Sequence, residues 1–210
     1  MSRLATQAAG LLLPLFALLA VPGMVFAQDK TAEAKTGWGP PTVSYSADMV
    51  FTNDRGRSRT ARLYYTAKRQ RLEYSAGKEI VAIVFDHAAN RAYQLLLNGR
   101  GWRPVRAIKP QFNFGMSDPA SKREKVAEER MAGMTVIKYR VTSKTSVGDI
   151  FEGFGWVDKN RIIVKMVGKV TRGKRSQKLT MVLQKLKIGA VDPSLFVVPK
   201  EYKKLPPLKK

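Results

Sequence analysis

Val43-Ser44-Tyr45-Ser46-Ala47-Asp48-Met49-Val50-Phe51, then Asn53-Asp54-Arg55-Gly56, then Arg57 to Ala67, is the stretch that decides the fold. Val43, Tyr45, Ala47, Met49 and Phe51 alternate with Ser44, Ser46 and Asp48, the period-2 signature of a half-buried strand. Asn53 to Gly56 is a turn. The chain returns with Ala61, Leu63 and Tyr65 on one side and Arg62 and Tyr64 on the other.

Moving outward, the same grammar repeats. Arg69–Ser75 reads as a third strand, ended by Ala76-Gly77. Ile80–Asp86 is nearly continuous apolar sequence, turned by Asp86 to Asn90 into Arg91–Leu97. Asn98-Gly99 is a hairpin signal, and Trp102–Arg106 continues the meander. Ser117-Asp118-Pro119 suits the start of a short helix, with Pro119 at its first position. Lys122–Arg130 is so highly charged that it reads as a helix or an exposed loop. Alternation resumes at Thr135, Ile137, Tyr139 and Val141, followed by Ile150–Val157 and a turn at Asp158-Lys159-Asn160. Arg161–Arg172 and Ser176–Ile188 form a long hairpin around Gly173-Lys174. Asp192 to Phe196 is one helical turn, and Val197 to Tyr202 brings the chain back to the body.

The expectation is a mainly β protein of about nine or ten strands in meander order, with one or two short helices. Connections this short favour antiparallel pairing. A sheet of that size curls, or leaves long edges open. A strongly curved half-barrel or open barrel follows, its concave face filled by side chains, a helix or a ligand.

The N-terminus has the form of a secretory signal. One charge, Arg3, precedes an apolar run from Leu11 to Val21. Pro22-Gly23 breaks it and Val25-Phe26-Ala27 suits signal peptidase. The run is short for a bilayer span, which takes about 20 residues. The organisation expected is a signal peptide at 1–27, cut after Ala27, a flexible leader at 28–42, one domain at 43–202 and a basic tail at 203–210. Localisation is periplasmic, with secretion as the variant.

Composition narrows the function. The chain has no cysteine, so there is no disulfide, thiol nucleophile, thiolate metal site or lipid-bearing cysteine at the cut. With 38 Lys+Arg against 16 Asp+Glu, the formal net charge is +22. A field of that sign attracts anions. Outside the inner membrane these are lipid headgroups, lipopolysaccharide phosphates and acidic polymers, and export argues against nucleic acid. Solubility alone also accounts for scattered turn charges. Arg100, Trp102, Arg103, Arg106, Arg172, Lys174 and Arg175 are the candidates for an anionic-surface contact, with Trp38 a further interface aromatic, while Trp156 reads rather as core or edge packing.

Enzyme readings find little support. His87 is the sole histidine and sits in a turn. Glu128-Glu129 and Asp48/Asp54 form no recognisable acid–base constellation, and Asp86 and Asp158 are turn formers. No metal, no cofactor and no catalytic residue is expected, and a hydrolase is the distant third reading.

Several segments together carry a family likeness: Arg69-Gln70-Arg71-Leu72-Glu73; the apolar strand and turn Ile83 to Asn90; Glu129-Arg130-Met131-Ala132-Gly133-Met134-Thr135-Val136-Ile137-Lys138-Tyr139; Gly155-Trp156-Val157-Asp158-Lys159-Asn160; and the closing Asp192-Pro193-Ser194-Leu195-Phe196-Val197-Val198-Pro199-Lys200-Glu201-Tyr202. The chain resembles the LolA/LolB-like superfamily of bacterial envelope proteins over most of 43 to 202. The resemblance implies a curved antiparallel sheet whose apolar concavity holds acyl chains of lipoproteins or lipids. The strand-face residues Met49, Phe51, Leu63, Tyr65, Ile83, Phe85, Tyr93, Leu95, Met166, Met181 and Leu183 are the candidate lining. Two readings stay open: a non-enzymatic carrier or sensor of a lipid or acylated ligand, and a packed sheet that docks an envelope protein and binds no lipid.

Overall fold

A computed structural model describes residues 39–105, 120–145 and 148–207, all within the compact unit Glu33–Lys210. The expected signal peptide with its cut after Ala27, the leader up to residue 38 with Trp38, Arg106, the helix start at 117–119 and the last three residues of the basic tail lie outside the described residues.

Twelve strands form one sheet: β1 Tyr45–Asn53, β2 Ser58–Tyr65, β3 Arg69–Ala76, β4 Glu79–Asp86, β5 Arg91–Leu96, β6 Gly101–Val105, β7 Lys122–Met131, β8 Met134–Lys144, β9 Ile150–Asp158, β10 Ile163–Arg172, β11 Arg175–Ile188 and β12 Lys203–Lys204. Their order is β12-β6-β5-β4-β3-β2-β1-β11-β10-β9-β8-β7. Two meanders, β1 to β6 and β7 to β11, are joined where β1 pairs antiparallel with β11. Every pairing is antiparallel except that of β12 with β6. Among the described residues the helical content is a single 3-10 turn, Pro193–Phe196, capped by the Asp192 carboxylate, which accepts from the Ser194 N–H.

Lys122–Arg130, read from sequence as helix or loop, is instead the edge strand β7. Its residues are exposed or half-exposed throughout, so no face needed to be apolar and the period-2 signal vanished. Its charges, and a bulge between Lys125 and Ala127, are the devices that keep an open edge from pairing with another chain. The opposite edge is blunted by the brevity of β12. Lys203 and Lys204, read as the start of the basic tail, pair there with Gly101 and Trp102.

Curvature has identifiable sources. Bulges interrupt the β1–β11 and β9–β10 ladders, between Ser46 and Asp48 and between Ile163 and Lys165. A bulge bends its strand and strengthens the local twist. Between β9 and β10, Gly153 faces Gly168 directly. A Cβ on Gly153 would sit 2.5 Å from the Gly168 Cα and closer still to the Val167 carbonyl oxygen, and one on Gly168 would sit 2.7 Å from the Phe151 ring. The fully buried Phe151 lies over both glycines and supplies the contact they lack.

Register assigns every side chain to a face, since directly paired residues point the same way. The inner face carries Tyr45, Met49, Leu63, Leu72, Phe151, Met166 and Met181, all in one buried cluster. Tyr45 and Tyr65 stack within it, 5.2 Å between centroids. The Asp158–Ile162 turn closes one end. Asp158 Oδ1 accepts from the Asn160 and Ile162 N–H groups, and the Asn160 carbonyl accepts from the Thr42 N–H at 3.0 Å. A second, smaller cluster, Ala82, Val84, Leu95 and Phe196, lies on the outer face of β4 and β5, under the closing segment.

Candidate ligand-binding surfaces

The expected lining residues divide between these faces. Met49, Phe51, Leu63, Tyr65, Ile83, Phe85, Met166, Met181 and Leu183 share the inner face through the pairings Met49↔Leu183, Phe51↔Met181, Met166↔Met181, Leu63↔Leu72 and Leu72↔Ile83. Six of them are buried, while Phe51, Ile83 and Leu183 are half-buried. Tyr93 and Leu95 lie on the outer face, opposite Val84 and Ala82. The reason is local. β5 meets apolar neighbours on both faces, so Ala92, Tyr93, Leu95 and Leu96 are all apolar and their alternation carries no parity. The inner-facing residues of β5 are Ala92, Gln94 and Leu96.

This parity exposes a feature that sequence reading missed. Gln94 pairs with Arg103 on the inner face. Gln94 Oε1 and Arg103 Nε are both buried and lack a hydrogen-bond partner among the described residues. Burying such atoms without a partner costs free energy. The signal was available only as a polar residue in an otherwise apolar strand.

On the outer face, β5, β6, β12 and the closing segment enclose a pocket of about 600 Å³. Its apolar walls include Tyr93, Trp102, Phe196, Val197 and Val198, and Arg69, Arg91 and Lys204 stand at its margin with Asp86. The roof is pinned at two points. The Tyr93 hydroxyl donates to the Phe196 carbonyl, and the buried Arg71 donates through Nη1 to the Leu195 carbonyl at 2.6 Å. Arg71 Nε also donates to Glu73 Oε1 at 2.6 Å.

The basic contact candidates do not form one patch within the sheet. Trp102 faces outward and Arg103 inward, while Arg100 sits in the β5–β6 turn at positive φ. Arg172, Lys174 and Arg175 belong to the β10–β11 hairpin, with five strands between β6 and β11. Arg172 is committed to Asp149, with Nε and Nη2 donating to its two oxygens at 2.6 and 2.5 Å. That ion pair holds the buried Asp149 carboxyl below the usual carboxylate range.

No family model matches the sequence, and no curated protein matches it. Solved structures do. An uncharacterized conserved protein from Thermus thermophilus aligns at TM-score 0.50 and 12% identity, over 78% of this chain and 90% of that one. MucB aligns at TM-score 0.50 and 16% identity, over 80% of this chain and 61% of MucB. A putative outer membrane lipoprotein-sorting protein domain from Vibrio parahaemolyticus aligns at TM-score 0.36 and 9% identity, over 77% and 91%. The fold is similar to those of the Thermus thermophilus protein and MucB, and it is the curved, mainly antiparallel open sheet expected from the sequence.

The sheet carries one more built feature, on the outer face of β8–β10. The Trp156 ring lies between two ammonium groups, Lys165 Nζ at 4.6 Å and Lys138 Nζ at 5.1 Å from its centroid. Its indole N–H donates to Glu129 Oε2 at 2.7 Å, and that hydrogen bond, with Lys138 nearby, lowers the Glu129 carboxyl from its usual range. Each polar tip is therefore satisfied within the sheet, and the arrangement is an anchor of edge strand β7. Among the described residues no group of three or more His, Asp or Glu could hold a metal ion, and no helix is long and apolar enough to cross a membrane. His87 is exposed in the β4–β5 turn. What this geometry offers chemically is a buried apolar inner face and an outer pocket with basic residues at its margin.

Proposed function

We propose that the protein is a non-enzymatic binding module of the bacterial periplasm that holds the acyl chain of a lipid or lipoprotein against the inner face of its sheet. The observation that carries this reading is the apolar inner face of β1–β5 and β10–β11 ending at Gln94 and Arg103, whose buried Oε1 and Nε have no partner among the described residues. A chain laid on that face would gain about 0.8 kcal/mol per methylene buried. Its polar head would meet one acceptor and one N–H donor. Residues 1–27 serve as the signal peptide, 43–202 as the binding domain, and the surplus charge favours contact with anionic envelope surfaces. The LolA/LolB-like fold supports the same reading, since a curved sheet supplies an apolar trough without any catalytic group.

A second reading has its own observation. Phe151, Ile162 and Met166 are fully buried and pack the inner face around β9 and β10. A face filled by its own side chains would dock a protein partner and need no lipid. Native mass spectrometry of the mature chain, isolated gently from a periplasm, separates the two. A bound mass that dissociates as a phospholipid, fatty acid or acylated peptide supports the carrier. A clean apo mass with no uptake of added lipid removes it and leaves the docking module.

A further inference from the structure

The outer pocket belongs to neither reading. It lies on the opposite side of the sheet from the inner face, roofed by a segment that no inner-face ligand would touch. Its volume of about 600 Å³ falls in the range of small-molecule sites. Its frame is fixed in advance by the Tyr93–Phe196 and Arg71–Leu195 hydrogen bonds, so little ordering is required on binding.

Its electrostatics are lopsided. Of the three cations at its margin, Arg69 has a carboxylate, Asp86, at 3.4 Å. Asp86 is further engaged by the Ala89 N–H at 2.9 Å, which holds its carboxyl charged. Among the described residues no carboxylate lies within ion-pair distance of Arg91 or Lys204, although Asp86 faces Arg91 across the strands and feels its charge. Pairing of β12 with β6 sets Lys204 Nζ 5.6 Å from the centroid of Trp102, on the pocket wall. Val197, which lines the pocket, is 47% exposed.

We propose that this pocket is a second binding site, for a single-chain fatty acid: the alkyl chain lies between Trp102 and the Phe196–Val198 segment, and the carboxylate is held by Arg91 and Lys204. One trough with a cationic end matches one chain with one anionic head. A neutral amphiphile would make no charge contact with Arg91 or Lys204.

The test is isothermal titration of the full mature protein with palmitate and with hexadecanol, below their aggregation concentrations, at two salt concentrations. The expected result is a palmitate site weakened by salt, at which hexadecanol binds weaker by about tenfold or more, apart from any salt-indifferent uptake on the inner face. Arg91→Glu combined with Lys204→Glu lowers palmitate affinity by at least about tenfold. Both side chains are exposed, so the fold should survive, as circular dichroism checks. Val198→Trp, which fills the trough, abolishes the salt-sensitive site independently of charge and leaves inner-face uptake unchanged. Three results would each overturn the proposal: no salt-sensitive palmitate site, a salt-sensitive site indifferent to both variants, or equal binding of the alcohol at that site. Tighter binding of a lysophospholipid would overturn the carboxylate assignment. Indifference to both variants together with retained lipid uptake would strike this site and leave the inner-face reading standing. The converse pattern would do the opposite.

Discussion

Arg71→Leu is the perturbation from which the closing segment can best be judged. The Arg71 side chain is 8% exposed and touches two groups at 2.6 Å, the Leu195 carbonyl and the Glu73 carboxylate. Leucine removes both contacts while keeping a core-compatible volume. Breaking a buried pair by deleting one partner costs about 3–5 kcal/mol. Glu73 is 20% exposed and regains part of its hydration, and the new leucine adds apolar burial, so the loss should fall near the lower bound, about 3 kcal/mol. The loss should also be local. With its pin removed, the Pro193–Phe196 turn should lose amide protection at Leu195 and Val197, whose N–H groups bond within the segment to Asp192 and Ser194. Urea unfolding measures the first quantity and hydrogen exchange the second. Adding Glu73→Gln to Arg71→Leu should recover part of the loss, because the stranded charge is then gone. A destabilisation under about 1 kcal/mol with unchanged protection would refute the claim that this arginine holds the roof.

Other outcomes follow from the same structure. Gly153→Ala drives a Cβ into the Val167 carbonyl and the Gly168 backbone, neither of which can swing aside, so it should cost about 3 kcal/mol, the upper range of overpacking, in a urea titration. Stability should fall as pH drops through the depressed pKa of Asp149, because a carboxyl held low by Arg172 stabilises the fold only while ionised. Asp149→Asn should flatten that acid limb in melts between about pH 7 and 2. The Tyr45 hydroxyl is pushed well above the usual tyrosine range, first by burial and then by Tyr65 and Asp158. Its contribution is complete below about pH 10 and lost as pH rises further, so Tyr45→Phe should retain more of its neutral-pH melting temperature at high pH than the parent does.

How much of this was legible depended on which faces each strand buries. β1 and β2 bury one side only, so Tyr45, Met49, Leu63 and Tyr65 could be placed together from alternation. β5 is covered on both, and Tyr93 and Leu95 therefore took the wrong partners in the expected lining. β7 buries neither side fully, and its charges disguised a ten-residue strand. β12 is two lysines whose pairing with β6 comes from tertiary placement alone. The Gln94–Arg103 pair and the outer pocket were illegible for the same reason, since both require knowing which way β5 and β6 point and where the closing segment lands.

The junction of the two meanders has a kinetic consequence. β1 is the first strand of the sheet and β11 the last long one, yet they are neighbours at its centre, with Tyr45 opposite Ile188. Either meander alone presents a raw central edge. Their joining closes a loop that spans nearly the whole domain, the kind of non-local pairing that makes β proteins slow to fold. A chain emerging from its N-terminus therefore cannot seal this seam until its C-terminal quarter is free, and stays pliable for as long as that quarter is withheld. Whatever holds the C-terminal quarter back therefore holds the sheet open, and one late pairing closes it.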